Sequence, residues 1–141
     1  MLKNIHPLLT GSLLDLLDRM GHGDVLGVVD RNFPAYRYGA PVIDFRGVDT
    51  GATADALLSV FPLDSFVDEA VHRMEIDGSP DEITVATERL QKAADAAEGR
   101  HVPIASVERF AFYDLAEPAY AFVQTGETVP YSCYLLRKGV V

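Results

Sequence analysis

The stretch Val25-Leu26-Gly27-Val28-Val29 carries no polar side chain at any of its positions. A strand with one wet face alternates apolar and polar residues, so a strand without alternation needs both faces covered. Helices packed on the two sides of a parallel sheet supply that cover. The run therefore predicts an α/β layered fold, and it constrains the chain more than any other segment.

The flanking segments fit this expectation. Leu13, Leu14, Leu16 and Leu17 form an apolar stripe over residues 11–20, which Thr10 or Ser12 can cap and Gly21 can stop. Residues 47–66 offer a second helix, capped near Thr50 or Thr53 and ended by Pro62. "EAVHRMEID" reads as a strand, followed by the turn Gly78-Ser79-Pro80. "PDEITVATERLQKAADAAEG" is the longest expected helix, with acids in its first turn and Gly99 just past its end. Ile104 to Val107 is a fainter strand, and "RFAFYDLAE" a short amphipathic helix. "AYAFVQT" and "YSCYLLR" close the chain as two strands joined through Gly126 and Pro130, an arrangement that suits an antiparallel pair. No repeat or linker interrupts the 141 residues, and domains cluster at about 100–150. The expectation is one layered domain over residues 1–141, with a mostly parallel central sheet flanked by helices.

Charge and cysteine usage narrow the partners. Asp and Glu number 21 against 12 Lys and Arg, and a net charge of −9 disfavours a phosphate backbone. Nucleic acid is not an expected partner. Cys133 is alone, so no intrachain disulfide forms and a reducing compartment fits. Asp15 and Asp18 interrupt any signal-like apolar stretch, and no run approaches the ~18 apolar residues of a membrane span. A cytoplasmic protein without a membrane partner is expected.

Two residues beside the apolar run stand out. His22 lies between Gly21 and Gly23, whose backbone freedom permits geometries other residues resist. The plainer reading is a histidine favoured by a helix carboxyl end. The glycine spacing is not a dinucleotide fingerprint, because it precedes a strand instead of following one. Asp30 ends the run, and open α/β sheets bind ligands beyond the carboxyl ends of their strands. An ordinary loop aspartate is an equal reading. Eight residues part His22 from Asp30, roughly 20 Å or more if extended, so no small ligand touches both across that gap. Either the glycine turn folds back, or a second subunit supplies one of the two groups.

Other chemistries find less support. Among His6, His22, His72 and His101 no two stand at i, i+3 or i, i+4, and there is no Cys-x-x-Cys, so no metal site is expected. Asp24, Asp30 and Asp44 are available to a glycosidase, but nothing fixes the separation of about 5–9.5 Å that two such carboxylates need. Cys133 lacks a neighbouring histidine and defaults to a buried small hydrophobe, not a nucleophile. Arg109 heads its helix and breaks the apolar pattern. Tyr131 follows Pro130 at the mouth of the last strand, and Cys133, two residues on, shares its face by strand alternation.

"MLKNIHPLL", "MGHGD", "DRNFPA", "ERFAFYDLAEPAYAFVQTGE" and "LLRKGV" resemble, in order, the L-fucose mutarotase and D-ribose pyranase family. The likeness is nearer the fucose branch, through "RFAFY" and the "KGV" ending. It implies that His22 is a proton donor and that Asp30, Arg109 and Tyr131 bind the substrate. It also implies an α/β subunit assembled into a ring, often a decamer, with pockets at subunit contacts. Tyr131-Ser132-Cys133 stands where that branch carries Tyr-Gly-Asn, and Tyr36 where it carries a histidine. Cys133 thus joins the substrate-binding residues as a thiol in place of an amide. The implied activity is cofactor-free exchange of the anomers of a free monosaccharide such as L-fucose. The alternative is a monosaccharide-binding accessory protein without catalysis.

Overall fold

The computed structural model describes residues 1–141 as a six-stranded sheet with helices on both faces. In chain order the elements are α1 (Gly11–Arg19), β1 (Val25–Val29), a 3-10 turn (Ala35–Tyr38), β2 (Val42–Phe45), α2 (Thr50–Leu58), β3 (Val71–Met74), α3 (Val85–Glu98), β4 (Ile104–Val107), α4 (Arg109–Leu115), β5 (Ala121–Thr125) and β6 (Tyr134–Arg137). The strand order is β2-β5-β1-β6-β3-β4. All strands are parallel except β6, which runs antiparallel between β1 and β3. The expected layered fold with a mostly parallel sheet is observed.

Alternation along the strands sorts side chains into two cores. Leu26 and Val28 of β1, Val123 of β5, and Tyr134 and Leu136 of β6 face α1, α2 and α3, meeting Leu13, Leu57 and Leu90. Val29, Phe122 and Leu135 point the other way, toward Phe112 of α4 and Phe33. Gly27 pairs with Phe122 in the β1–β5 register, and a Cβ at Gly27 would collide with the Phe122 ring. The glycine in an otherwise aliphatic strand is thus a seat for an aromatic ring.

Several local expectations change. The last two strands are antiparallel in direction but do not touch, because β1 lies between them. β6 begins at Tyr134, so residues 131–133 precede the ladder, and Tyr131 takes a left-handed conformation with φ 62°. α2 is capped by Asp49, whose side chain accepts from the Ala52 N–H at 2.8 Å, and not by Thr50 or Thr53. α3 is capped by Thr84, which leaves Asp81 and Glu82 ahead of the helix. β2, an edge strand paired with β5, falls in a stretch where no strand was expected.

This topology defines two ends of the sheet. The carboxyl ends of β1, β3, β4 and β5 gather at one edge together with the start of β6. The start of β1 and the end of β6 form the opposite, amino edge.

Candidate functional site

Four of the five expected site residues meet at the carboxyl edge. Asp30, Arg109, Tyr131 and Cys133 line one cleft of about 230 Å³, with Asn32, Phe33, Met74 and Tyr113. Each arrives there for a local reason. Asp30 follows β1 directly, and its Oδ1 accepts from the backbone N–H groups of Asn32 (2.9 Å) and Phe33 (3.1 Å). That turn fixes the carboxylate at the mouth of the cleft, beside Cys133. Arg109 is the first residue of α4, immediately after the Glu108 cap. Its Nη1 reaches Asp77 Oδ2 at 3.2 Å, and its guanidinium lies 5.2 Å from the centre of the Phe110 ring. Tyr113 foremost, then Asp77, stabilises its cationic form.

Cys133 lies at the boundary between core and cleft. It packs in the smaller core at 2% exposure, and it also borders the cleft. Burial, and next the charge of Asp30, push its thiol well above the ordinary range, so it stays protonated and a poor nucleophile. Tyr131 shares the cleft through its left-handed backbone and not through strand alternation. Tyr36 lies elsewhere, 69% exposed, beside Arg31 and Arg46.

His22 is not in this cleft. The glycine turn stays at the amino edge: the Gly23 N–H donates to Lys138 O, and the Asp24 N–H to Gly21 O. Gly23 has φ 89°, and only a residue without a side chain adopts that geometry without strain. Lys138 Nζ donates to the Leu17 and Met20 carbonyls, closing the end of α1 just ahead of the turn. Of the two expectations about the His22–Asp30 gap, the fold-back of the turn is therefore overturned. The imidazole borders a second cleft of about 510 Å³, among Leu17, Met20, Phe61, Lys138 and Gly139. Exposed apolar side chains surround it, notably Phe66 at 73%, whose ring meets His22 edge-on at 5.5 Å.

Sequence reasoning missed the partners of His22. Asp64 Oδ2 is 3.2 Å from His22 Nε2 and 2.9 Å from Arg137 Nε. Asp64 and Arg137 are 73 positions apart, and no local pattern links them. The three carboxylates considered for a glycosidase are scattered. Asp24 binds the Gly21 N–H at the amino edge, Asp30 lies at the other edge, and Asp44 pairs with Arg46. No group of three or more His, Cys, Asp or Glu side chains is placed to hold a metal ion, and no helix is long and apolar enough to cross a membrane.

The model of the RbsD / FucU transport protein family matches residues 3–141. The chain belongs to this family. Relatives of the RbsD/FucU family cover it from end to end. It is 39% identical to the L-fucose mutarotase of Glaesserella parasuis serovar 5 over 99% of this chain and 96% of that one. The crystal structure of FucU from Bifidobacterium longum superposes with a TM-score of 0.91 at 37% identity, covering 99% of each chain. The fucose mutarotase of Streptococcus pneumoniae in complex with L-fucose gives a TM-score of 0.89 at 34% identity, again with 99% of each chain covered.

Proposed function

We propose that this protein is a cofactor-free mutarotase that exchanges the anomers of a free monosaccharide such as L-fucose. The observation that carries the reading is the cleft where Asp30, Arg109, Tyr131 and Cys133 converge, in a chain whose relatives are named L-fucose mutarotase. This cleft does not include His22, so on the present reading it is half of a site. The other half is His22 of a neighbouring subunit, presented from an edge rich in exposed apolar side chains. Joining unlike edges head to tail gives a ring when the rotation between subunits closes. A decamer is the ring that the family resemblance implies.

In the reaction, His22 gives a proton to the ring oxygen as the bond from that oxygen to the anomeric carbon breaks. The anomeric hydroxyl loses its proton to a base, leaving an aldehyde. Rotation about the adjoining carbon–carbon bond and reclosure reverse both transfers and yield the other anomer. Histidine suits such two-way transfer near neutral pH. Asp30 and Arg109 hold sugar hydroxyls by charge-assisted hydrogen bonds, and Tyr131 adds its phenol. The lone buried thiol accords with work in a reducing cytoplasm.

Saturation-transfer NMR between the anomers of a panel of free aldoses tests the reading. Accelerated exchange for at least one sugar is expected. Tight binding of a sugar without acceleration would make the protein a binding accessory instead.

A further inference from the structure

Asp30 and Arg109 line the carboxyl-edge cleft with opposite charges, yet the guanidinium pairs with Asp77 and not with Asp30. The topology brings this third charge there. β3 and β4 are parallel neighbours that leave the sheet with Met74 beside Val107, and the Glu75 N–H still donates to Val107 O at 2.9 Å. Asp77 lies three residues past Met74 and Arg109 two past Val107, so their side chains meet just beyond the ladder. The segment that carries Asp77 is braced. The Ser79 N–H donates to Ile76 O at 2.9 Å and closes a tight turn, with Gly78 at φ 76°. Arg73, a cation at 6% exposure, donates from Nη2 to Pro80 O at 2.7 Å. Its register partner on β4, Ser106, donates to Glu75 Oε2 at 3.0 Å. The turn is thus tied to the strands on both of its sides.

We propose that Asp77 is a positioning residue that holds Arg109 off Asp30 and so keeps the cleft open between its two charged walls. This rests on the mutarotase reading above. A guanidinium and a carboxylate that face one small cleft attract each other, and a direct pair would occupy the atoms that sugar hydroxyls need. The chain meets each charge in part instead. Asp30 is fixed through Oδ1 by the Asn32 and Phe33 N–H groups. Arg109 has five N–H donors and gives one, on Nη1, to Asp77. The Phe110 ring, 5.2 Å from the guanidinium, backs it from another side. A sugar that enters then meets an arginine already placed and a carboxylate not yet neutralised. It bonds to both without first breaking an ion pair between them, which is the gain of a site organised in advance.

The test begins with sugar-free crystal structures of the unmodified protein and of Asp77→Asn, each in its native assembly. The unmodified protein is expected to show Arg109 on Asp77 with Asp30 open, and the variant to show the guanidinium turned onto Asp30. Arg109 on Asp30 in the unmodified protein, or an unmoved guanidinium in the variant, overturns the proposal whether or not any sugar is exchanged. Kinetics supply the second arm. Arg109 holds hydroxyls in the ground state and the transition state alike, so Asp77→Asn is expected to raise KM about tenfold, the scale of one charge-assisted contact, and to change kcat less than about twofold. Asp77→Glu keeps the charge and is expected to stay within about threefold of the unmodified KM. A fall in kcat at constant KM, or a Glu variant as impaired as the Asn variant, would remove Asp77 from this role. Should Asp77→Asn fail to fold, the sugar-free structure of the unmodified protein and the KM of Asp77→Glu decide. If the unmodified protein exchanges no sugar, the mutarotase reading falls, while the two structures still report where Asp77 places Arg109.

Discussion

His22 and Asp30 stand at opposite ends of β1, and their side chains line different clefts. At about 3.3 Å per residue the five-residue strand alone puts some 16 Å between them. A site that uses both draws them from different subunits. Two singly inactive variants, His22→Ala and Asp30→Asn, are then expected to complement each other when assembled together. Random mixing recovers about a quarter of the intact sites in a head-to-tail ring. Co-expression followed by saturation-transfer NMR measures the recovery, and a mixture as inactive as its parents would place both residues in one subunit's site.

The thiol of Cys133 is a weak partner for a hydroxyl, and it borders Asp30 and Tyr131 in the cleft. Cys133→Asn is expected to reorder the sugars the protein accepts, changing the kcat/KM ratio of two sugars by about tenfold, the scale of one polar contact. An unchanged ranking with a lower melting temperature would assign Cys133 to packing alone.

Glu127 ties β5 to the start of α2. Its side chain accepts from the N–H groups of Thr50, Thr128 and Val129. Burial pushes its carboxyl up, but those donors outweigh burial and hold it below its ordinary value. A depressed folded value means the stabilisation is complete above the unfolded pKa of about 4.3 and is lost as pH falls through the lower, folded one. Urea melts of the wild type should therefore weaken below about pH 4, and Glu127→Ala should cost at least about 2 kcal/mol at neutral pH by orphaning buried donors. The variant's loss of stability in acid should be correspondingly shallower.

Gly27→Ala is expected to destabilise the fold by about 1–3 kcal/mol, because the new methyl group meets the Phe122 ring where β1 and β5 pair. Thermal denaturation measures it. A melting temperature equal to wild type would mean that Phe122 moves aside freely.

The parts of this fold that declare themselves locally were the ones legible in the chain. Leu13, Leu16 and Leu17 repeat at helical spacing, and Val25–Val29 lacks any polar residue, so α1, β1 and the layered fold follow from periodicity. β2 escaped because four residues on a partly exposed edge carry too little pattern. Thr50 and Thr53 looked like caps by residue type, yet both are fully buried and Asp49 takes the role. The carboxyl-edge cleft was partly legible, since Asp30 and Arg109 stand where a strand ends and a helix begins. The Asp64–Arg137 pair was not, because only the three-dimensional meeting of a loop with β6 creates it.

The insertion of β6 has a consequence for biosynthesis. Without it the sheet is two separate parallel units, β2-β5-β1 and β3-β4, with no backbone ladder between them. β6 is the only strand that bonds to both, and it follows every other strand in the order of translation. Domains tend to fold as units while the ribosome is still extending them. A chain in which β6 has yet to dock therefore has two unfinished pieces with open inner edges. Open edges of that kind template strand-to-strand pairing, and the docking of β6 that removes them also brings Arg137 to Asp64.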